Sequence, residues 1–163
     1  KLGLHTIDEK DTELLLELNR ALQSTEIDMT LFFRKLAQCK KSTPVQATEE
    51  ELLAPIQAAF YKSSSTEIVL WMRRYHQRLQ QEKYTDSVRR EKMNQVNPKY
   101  VLRNYLAQQA IEKSEEGDDS LVETLLDVMR NPYDEQPEHE IYAQKRPEWA
   151  RNKPGCSTLS CSS

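Results

Sequence analysis

Glycine is scarce in this chain. Gly3, Gly117 and Gly155 are the only three in 163 residues, and they lie far apart. No Walker loop, dinucleotide fingerprint or kinase-type glycine loop can be assembled from them, so a phosphate cradle of those kinds is excluded. Cysteine is equally sparse, and Cys39, Cys156 and Cys161 are too unevenly placed for a disulfide scaffold; reducing conditions are the default. The three histidines, His5, His76 and His139, are dispersed and lack ligand spacing. No apolar run approaches the roughly 18 residues of a membrane span. Lys1 rather than Met opens the chain, so the lack of a visible signal peptide excludes nothing. The net charge of −3 gives no global attraction to nucleic acid or an anionic membrane, and neither is expected as a partner.

What is present is charge and helical periodicity. Charged residues make up 30% and apolar residues 37% of the chain, which suits one heavily solvated domain with a real core. β-Branched residues never cluster with period-two alternation, so the expected fold is all-α: about seven helices in an irregular bundle over residues 1–131, then a proline-rich, largely irregular tail over 132–163.

The stretch from Asn97 to Gly117 is the most completely specified. Asn97 can cap a helix, Pro98 suits its first position, and Val101, Leu102, Tyr105, Leu106, Gln109 and Ala110 recur at helical spacing. Gly117 ends the run. At roughly 1.5 Å per residue the helix would be about 28 Å long, a central strut. Arg103 and Asn104 fall inside it beside the apolar stripe. Asparagine is an indifferent helix former, so a tail-anchoring role is expected, with Arg103 tying the acidic stretch near Asp134 to the helical body.

Thr6 with Glu9 reads as a capping box opening a first helix that buries Leu14, Leu15, Leu18 and Leu22. Asp28 can cap a second, with Met29, Phe32, Phe33 and Leu36 on one face, and Lys40 to Pro44 reads as a loop. Thr48 with Glu51 is a second box, followed by Leu52, Leu53, Ile56 and Phe60; Pro55 inside that run predicts a kink or two short helices. Ser64 with Glu67 forms a third, before a helix whose Ile68, Trp71, Met72, Tyr75 and Leu79 share a face. A short polar helix over Thr85 to Val96 offers Val88, Met93 and Val96 as apolar contacts. The last helix opens at Ser120 and Glu123, buries Leu121, Leu125, Val128 and Met129, and closes at Asn131-Pro132.

Past Pro132 periodicity disappears. Tyr133, Tyr142 and Trp149 could pin such a tail across helices, and the residues from Lys153 are small and polar enough to be mobile. The acidic residues Asp134, Glu135, Glu138 and Glu140 lack the glycine turn of a calcium loop and read as solvated. Arg73, Arg74, Arg78, Arg89, Arg90 and Lys92 are interleaved with Glu82, Asp86 and Glu91, and read as a surface laced with ion pairs rather than a phosphate stripe. His76 is expected on that surface, and Cys39 in the core. No catalytic triad, nucleophile elbow or pair of carboxylates in apolar surroundings emerges.

Several segments in fixed order carry a family resemblance: KLGL at the start, DMTLFFRKL, NPKYVLRNYLAQQAI, GD, NPYDEQPE, PEWA and the terminal SCSS. Together they resemble the C-terminal part of selenoprotein O, a family of protein adenylyltransferases with a kinase-like fold. The resemblance implies a larger protein that binds ATP with Mg or Mn and moves AMP onto Ser, Thr or Tyr hydroxyls of protein substrates. It implies a bacterial cytoplasmic location, or a mitochondrial one for eukaryotic relatives. The family's lysine, glutamate, Asp-Asn and metal-binding aspartate motifs match no residue here, so catalytic, cofactor and metal residues are expected upstream, in a kinase-like domain that this piece would buttress. Cys161 occupies a place comparable to a near-terminal selenocysteine in some members, and redox pairing with Cys156, or with a cysteine of that upstream part, is the expectation. A stand-alone, non-catalytic helical interaction module is the rival. A buttress should present an apolar face that stays exposed in the isolated piece.

Overall fold

The computed structural model describes residues 1–156. It is all-α, with seven α-helices and three 3-10 turns among the described residues. The helices are α1 (Asp11–Gln23), α2 (Met29–Leu36), α3 (Glu49–Leu53), α4 (Thr66–Leu79), α5 (Asp86–Asn94), α6 (Asn104–Glu115) and α7 (Ser120–Arg130). The nearest approach to a sheet among these residues is an isolated antiparallel bridge between Ile27 and Phe60. Two compact units divide at Asn97–Pro98. Residue 131, where a boundary was expected on periodicity, is where α-helix gives way to 3-10 turns at Pro137–Ala143 and Glu148–Ala150.

In the first unit α4 is the buried centre. Ile68, Trp71, Met72, Tyr75 and Leu79 are all withdrawn from solvent, as their spacing predicts, and pack with Phe32, Leu36, Leu52 and Ile56. The Trp71 and Tyr75 rings stack with centroids 5.1 Å apart. Each buried ring keeps a polar partner: Trp71 Nε1 donates to the Leu14 carbonyl at 3.0 Å, and Tyr75 Oη to that of Leu2 at 2.8 Å. These two bonds tie α1 and the N-terminal strap to α4.

Several caps stand where the sequence places them. Asp28 accepts from the Leu31 amide, and Thr48 and Glu51 form a reciprocal capping box. Pro55 ends α3 and starts the 3-10 turn Ala54–Ala59, because it has no amide to continue an α-helix. Others differ from the expectation. Ser65 rather than Ser64 caps α4, accepting from the Ile68 amide. Thr6 does not cap α1, which starts at Asp11, since its hydroxyl donates instead to Glu82 at 2.7 Å. Leu15 faces solvent at 53% exposure while Leu14 and Leu18 are buried, and Val96 is also exposed.

The central strut is shorter than expected. Residues 98–103 are non-helical, Arg103 is the N-cap position of α6 and Asn104 its first residue. There the amides of Lys99 and Tyr100, which a helix begun at Pro98 would leave without an intrahelical acceptor, both donate to the Pro132 carbonyl, at 2.7 and 3.0 Å. Tyr100 is buried against Val128 and Ala143, and its hydroxyl donates to the Gln136 carbonyl at 2.9 Å. Asn97 belongs to the end of α5 instead, where its side-chain amide donates to the Lys1 carbonyl. Gly117 adopts φ +88°, the left-handed turn that an L side chain resists, between α6 and α7.

The Trp71 anchor makes a prediction. Trp71→Ala removes a fully buried indole and leaves the Leu14 carbonyl without its donor, so urea unfolding should report a loss of about 3–5 kcal/mol.

Candidate interaction surface

The basic residues of α4 and α5 were candidates for chemistry, and several of them are taken into the core of the first unit. Arg78 is buried, contrary to an assignment to the solvated surface. Its guanidinium donates to Asp11 at 2.7 and 3.1 Å, to Glu82 at 2.8 Å and to the Thr6 carbonyl at 2.6 Å. Glu82, also buried, accepts from the His5 amide at 3.0 Å as well as from Thr6. Burial alone would raise the Glu82 carboxyl; the bonds from Thr6, His5 and Arg78 outweigh it and hold the group at about 2.

Arg89 is wholly buried and donates to the carbonyls of Ala37 and Cys39. Arg73 donates to those of Val45 and Ala47. Arg74 does form the expected ion pairs, with Glu13 and Glu17 of α1. The arginines of α4 and α5 are thus largely staples for loop carbonyls and acids. A phosphate stripe is ruled out for Arg78 and Arg89 by burial.

His76 is 1% exposed rather than on the surface. Burial depresses its basicity below the ordinary value, and nearby Arg89 works in the same direction. Cys39 is buried as expected, and burial pushes its thiol up to about 12, which makes it inert. Among the described residues no three His, Cys, Asp or Glu side chains converge as a metal ion requires.

In the second unit the expected tail anchors sit as follows. Arg103 and Asn104 are half-buried, and Asp134 is exposed, its amide donating to the Asn131 carbonyl. Sequence reasoning missed Lys99 and Tyr100. The Lys99 ammonium pairs with Glu135 at 2.6 Å and with Glu140, so part of the acidic stretch is neutralised. A lysine spaced from an acidic run leaves no local signal for such a pair. Trp149 meets the edge of Tyr105 at 6.1 Å, and Lys153 reaches both the Trp149 face and Glu112. Cys156 is therefore buried beside Tyr105, Leu106 and Ala110, where a mobile end was expected. Cys161 and the rest of SCSS lie outside the described residues.

A further feature of α6 is apolar and open. With α7 it forms an apolar groove of about 470 Å³ lined by Leu102, Ala107, Ile111, Val122, Leu126 and Met129 among others. Leu102, Ile111, Val122 and Leu126 are between 44% and 56% exposed. Scattered apolar residues are ordinary on a surface; four converging on one groove are not. This is the exposed apolar face expected of a buttress.

A model of the family described as protein adenylyltransferase SelO matches residues 1–130. The chain belongs to the SelO family. Among the relatives, the protein nucleotidyltransferase YdiU of Nitrosospira multiformis is 46% identical over all of this chain and 33% of its own length. Those of Rhodopirellula baltica and Flavobacterium johnsoniae are each 49% identical, again over all of this chain and 33% and 32% of their own lengths. The chain thus spans about a third of the length of the curated relatives it matches. No helix among the described residues is long and apolar enough to cross a membrane.

The buried groups set the response to acid. His76 has a folded value below its ordinary 6.5, so its contribution to stability is complete above about pH 6.5 and is lost as pH falls below it. Glu82 contributes fully above its ordinary 4.5 and loses that contribution as pH falls towards about 2. Unfolding midpoints measured from pH 7 to pH 3 should fall in two stages. His76→Gln should flatten the first and Glu82→Gln the second. Arg78→Met, which strands Asp11 and Glu82, should cost about 3–5 kcal/mol at pH 7.

Proposed function

We propose that this chain is the C-terminal helical scaffold of a SelO-type protein adenylyltransferase. In this reading the whole protein transfers AMP from ATP, with Mg or Mn, to Ser, Thr or Tyr hydroxyls of protein substrates. The machinery lies in a kinase-like part upstream of these residues. The observation that carries the reading is the match to the SelO family over residues 1–130, combined with coverage of only a third of the relatives' length. The chemistry of the described residues supports it. AMP transfer needs metal-held phosphates and a base positioned at the accepting hydroxyl. Here the buried arginines Arg78 and Arg89 are committed to carboxylates and carbonyls.

The chain's own contribution is then mechanical. Its cores hold α6 and α7 in a fixed geometry and leave an apolar face for the remainder of the protein. AMP transfer from labelled ATP, measured for the longer polypeptide and for these 163 residues alone, checks this. Transfer is expected with the longer polypeptide and none with the chain alone. Transfer by the chain alone would place the machinery within these helices and overturn the reading.

A further inference from the structure

The groove between α6 and α7 has an electrostatic character that its lining does not reveal. Along residues 113–130 the exposed charges are Glu115, Glu116, Asp118, Asp119, Glu123 and Asp127 against Lys113 and Arg130. Both cations are already engaged, Lys113 with Asp118 at 3.5 Å and Arg130 with Asp127 at 2.7 Å. The surplus is therefore Glu115, Glu116, Asp119 and Glu123, gathered where α6 turns into α7. Glu115 itself lines the groove. Glu115 and Glu116 also stand at the C-terminal end of α6, where the helix dipole already presents negative charge. An isolated helix gains nothing from that placement; a cation brought from outside would relieve both repulsions.

These features select an occupant. Two packed helices with Ala107 and Ala110 beside Ile111, Val122, Leu126 and Met129 offer a trough for the apolar ridge of a third helix. The acidic end asks for lysine or arginine beside that ridge. A second copy of the chain would bring the same acidic surplus against itself, and an anionic bilayer would be repelled likewise. The matched relatives are about three times as long as the stretch this chain covers, which supplies ample chain from which such a helix could come.

We propose that the α6–α7 groove seats an amphipathic helix with basic flanking residues, contributed by the part of the longer SelO polypeptide outside these residues. The inference rests on the scaffold reading above and adds to it the docking face and the chemistry of the docked segment.

Thiol labelling tests it. Val122→Cys and, separately, Ile111→Cys are placed in a Cys161→Ser background, and maleimide labelling rates are compared between the 163-residue chain and the longer polypeptide. Both positions are exposed here, so the chain alone should label quickly, and the longer polypeptide at least about tenfold more slowly, as expected of a covered thiol. Adding Glu115→Lys and Glu123→Lys should return the longer polypeptide towards the rate of the chain alone, with helix content by circular dichroism unchanged. Equal rates in the two proteins overturn the proposal. Protection that survives the charge reversal overturns the basic helix as occupant, and protection of the chain alone that grows with its concentration assigns the groove to a second copy. AMP transfer is read on the same proteins: intact transfer with an unprotected groove sinks this inference and leaves the scaffold reading standing.

Discussion

A polar group taken into an apolar interior must find its partner there, and that constraint organises both units of this chain. In the first, α4 carries an indole, a phenol and an arginine into the core. The indole and phenol are satisfied by the carbonyls of Leu14 and Leu2, and Arg78 by Asp11, Glu82 and Thr6. Because all of those partners except Glu82 lie far away in sequence, satisfying α4 also decides where α1 and the N-terminal strap must run. In the second unit the Pro132 carbonyl takes the Lys99 and Tyr100 amides.

The same constraint accounts for the buried arginines of these helices. A reactive arginine or carboxylate needs free valences facing a cavity; here the valences are used to join segments. Arg73 and Arg89 donate to loop carbonyls, and Lys99 gathers Glu135 and Glu140. The groove of α6 and α7 exposes hydrocarbon rather than hydrogen-bonding groups, which suits association better than catalysis.

Much of this was legible in the sequence, and the division between what was and was not has a pattern. The apolar face of α4, the Asp28 cap, the Thr48–Glu51 box and the break at Pro55 all depend on neighbours within a few residues. Periodicity and capping chemistry act over that range. The failures involve partners far along the chain. Thr6 carries a capping-box signature, yet Glu82, 76 positions away, captures its hydroxyl. Asn97 and Pro98 form a sound helix start, yet the following amides donate to the Pro132 carbonyl and α6 begins only at Asn104.

The sequence by itself determined that the chain is helical, where most helices lie and which faces of them are apolar, because backbone propensity and side-chain spacing are local properties. It also determined the family, through motifs whose order survives without knowledge of the fold. Only the tertiary structure decided which charges are buried. Arg78, Arg89 and His76 sit on polar-looking stretches, and nothing short-ranged separates them from Arg74 or Arg90. The burial of Arg78 and Arg89 follows from which carbonyls and carboxylates the folded backbone brings within hydrogen-bonding reach, and that of His76 from packing alone, neither of which sequence spacing encodes.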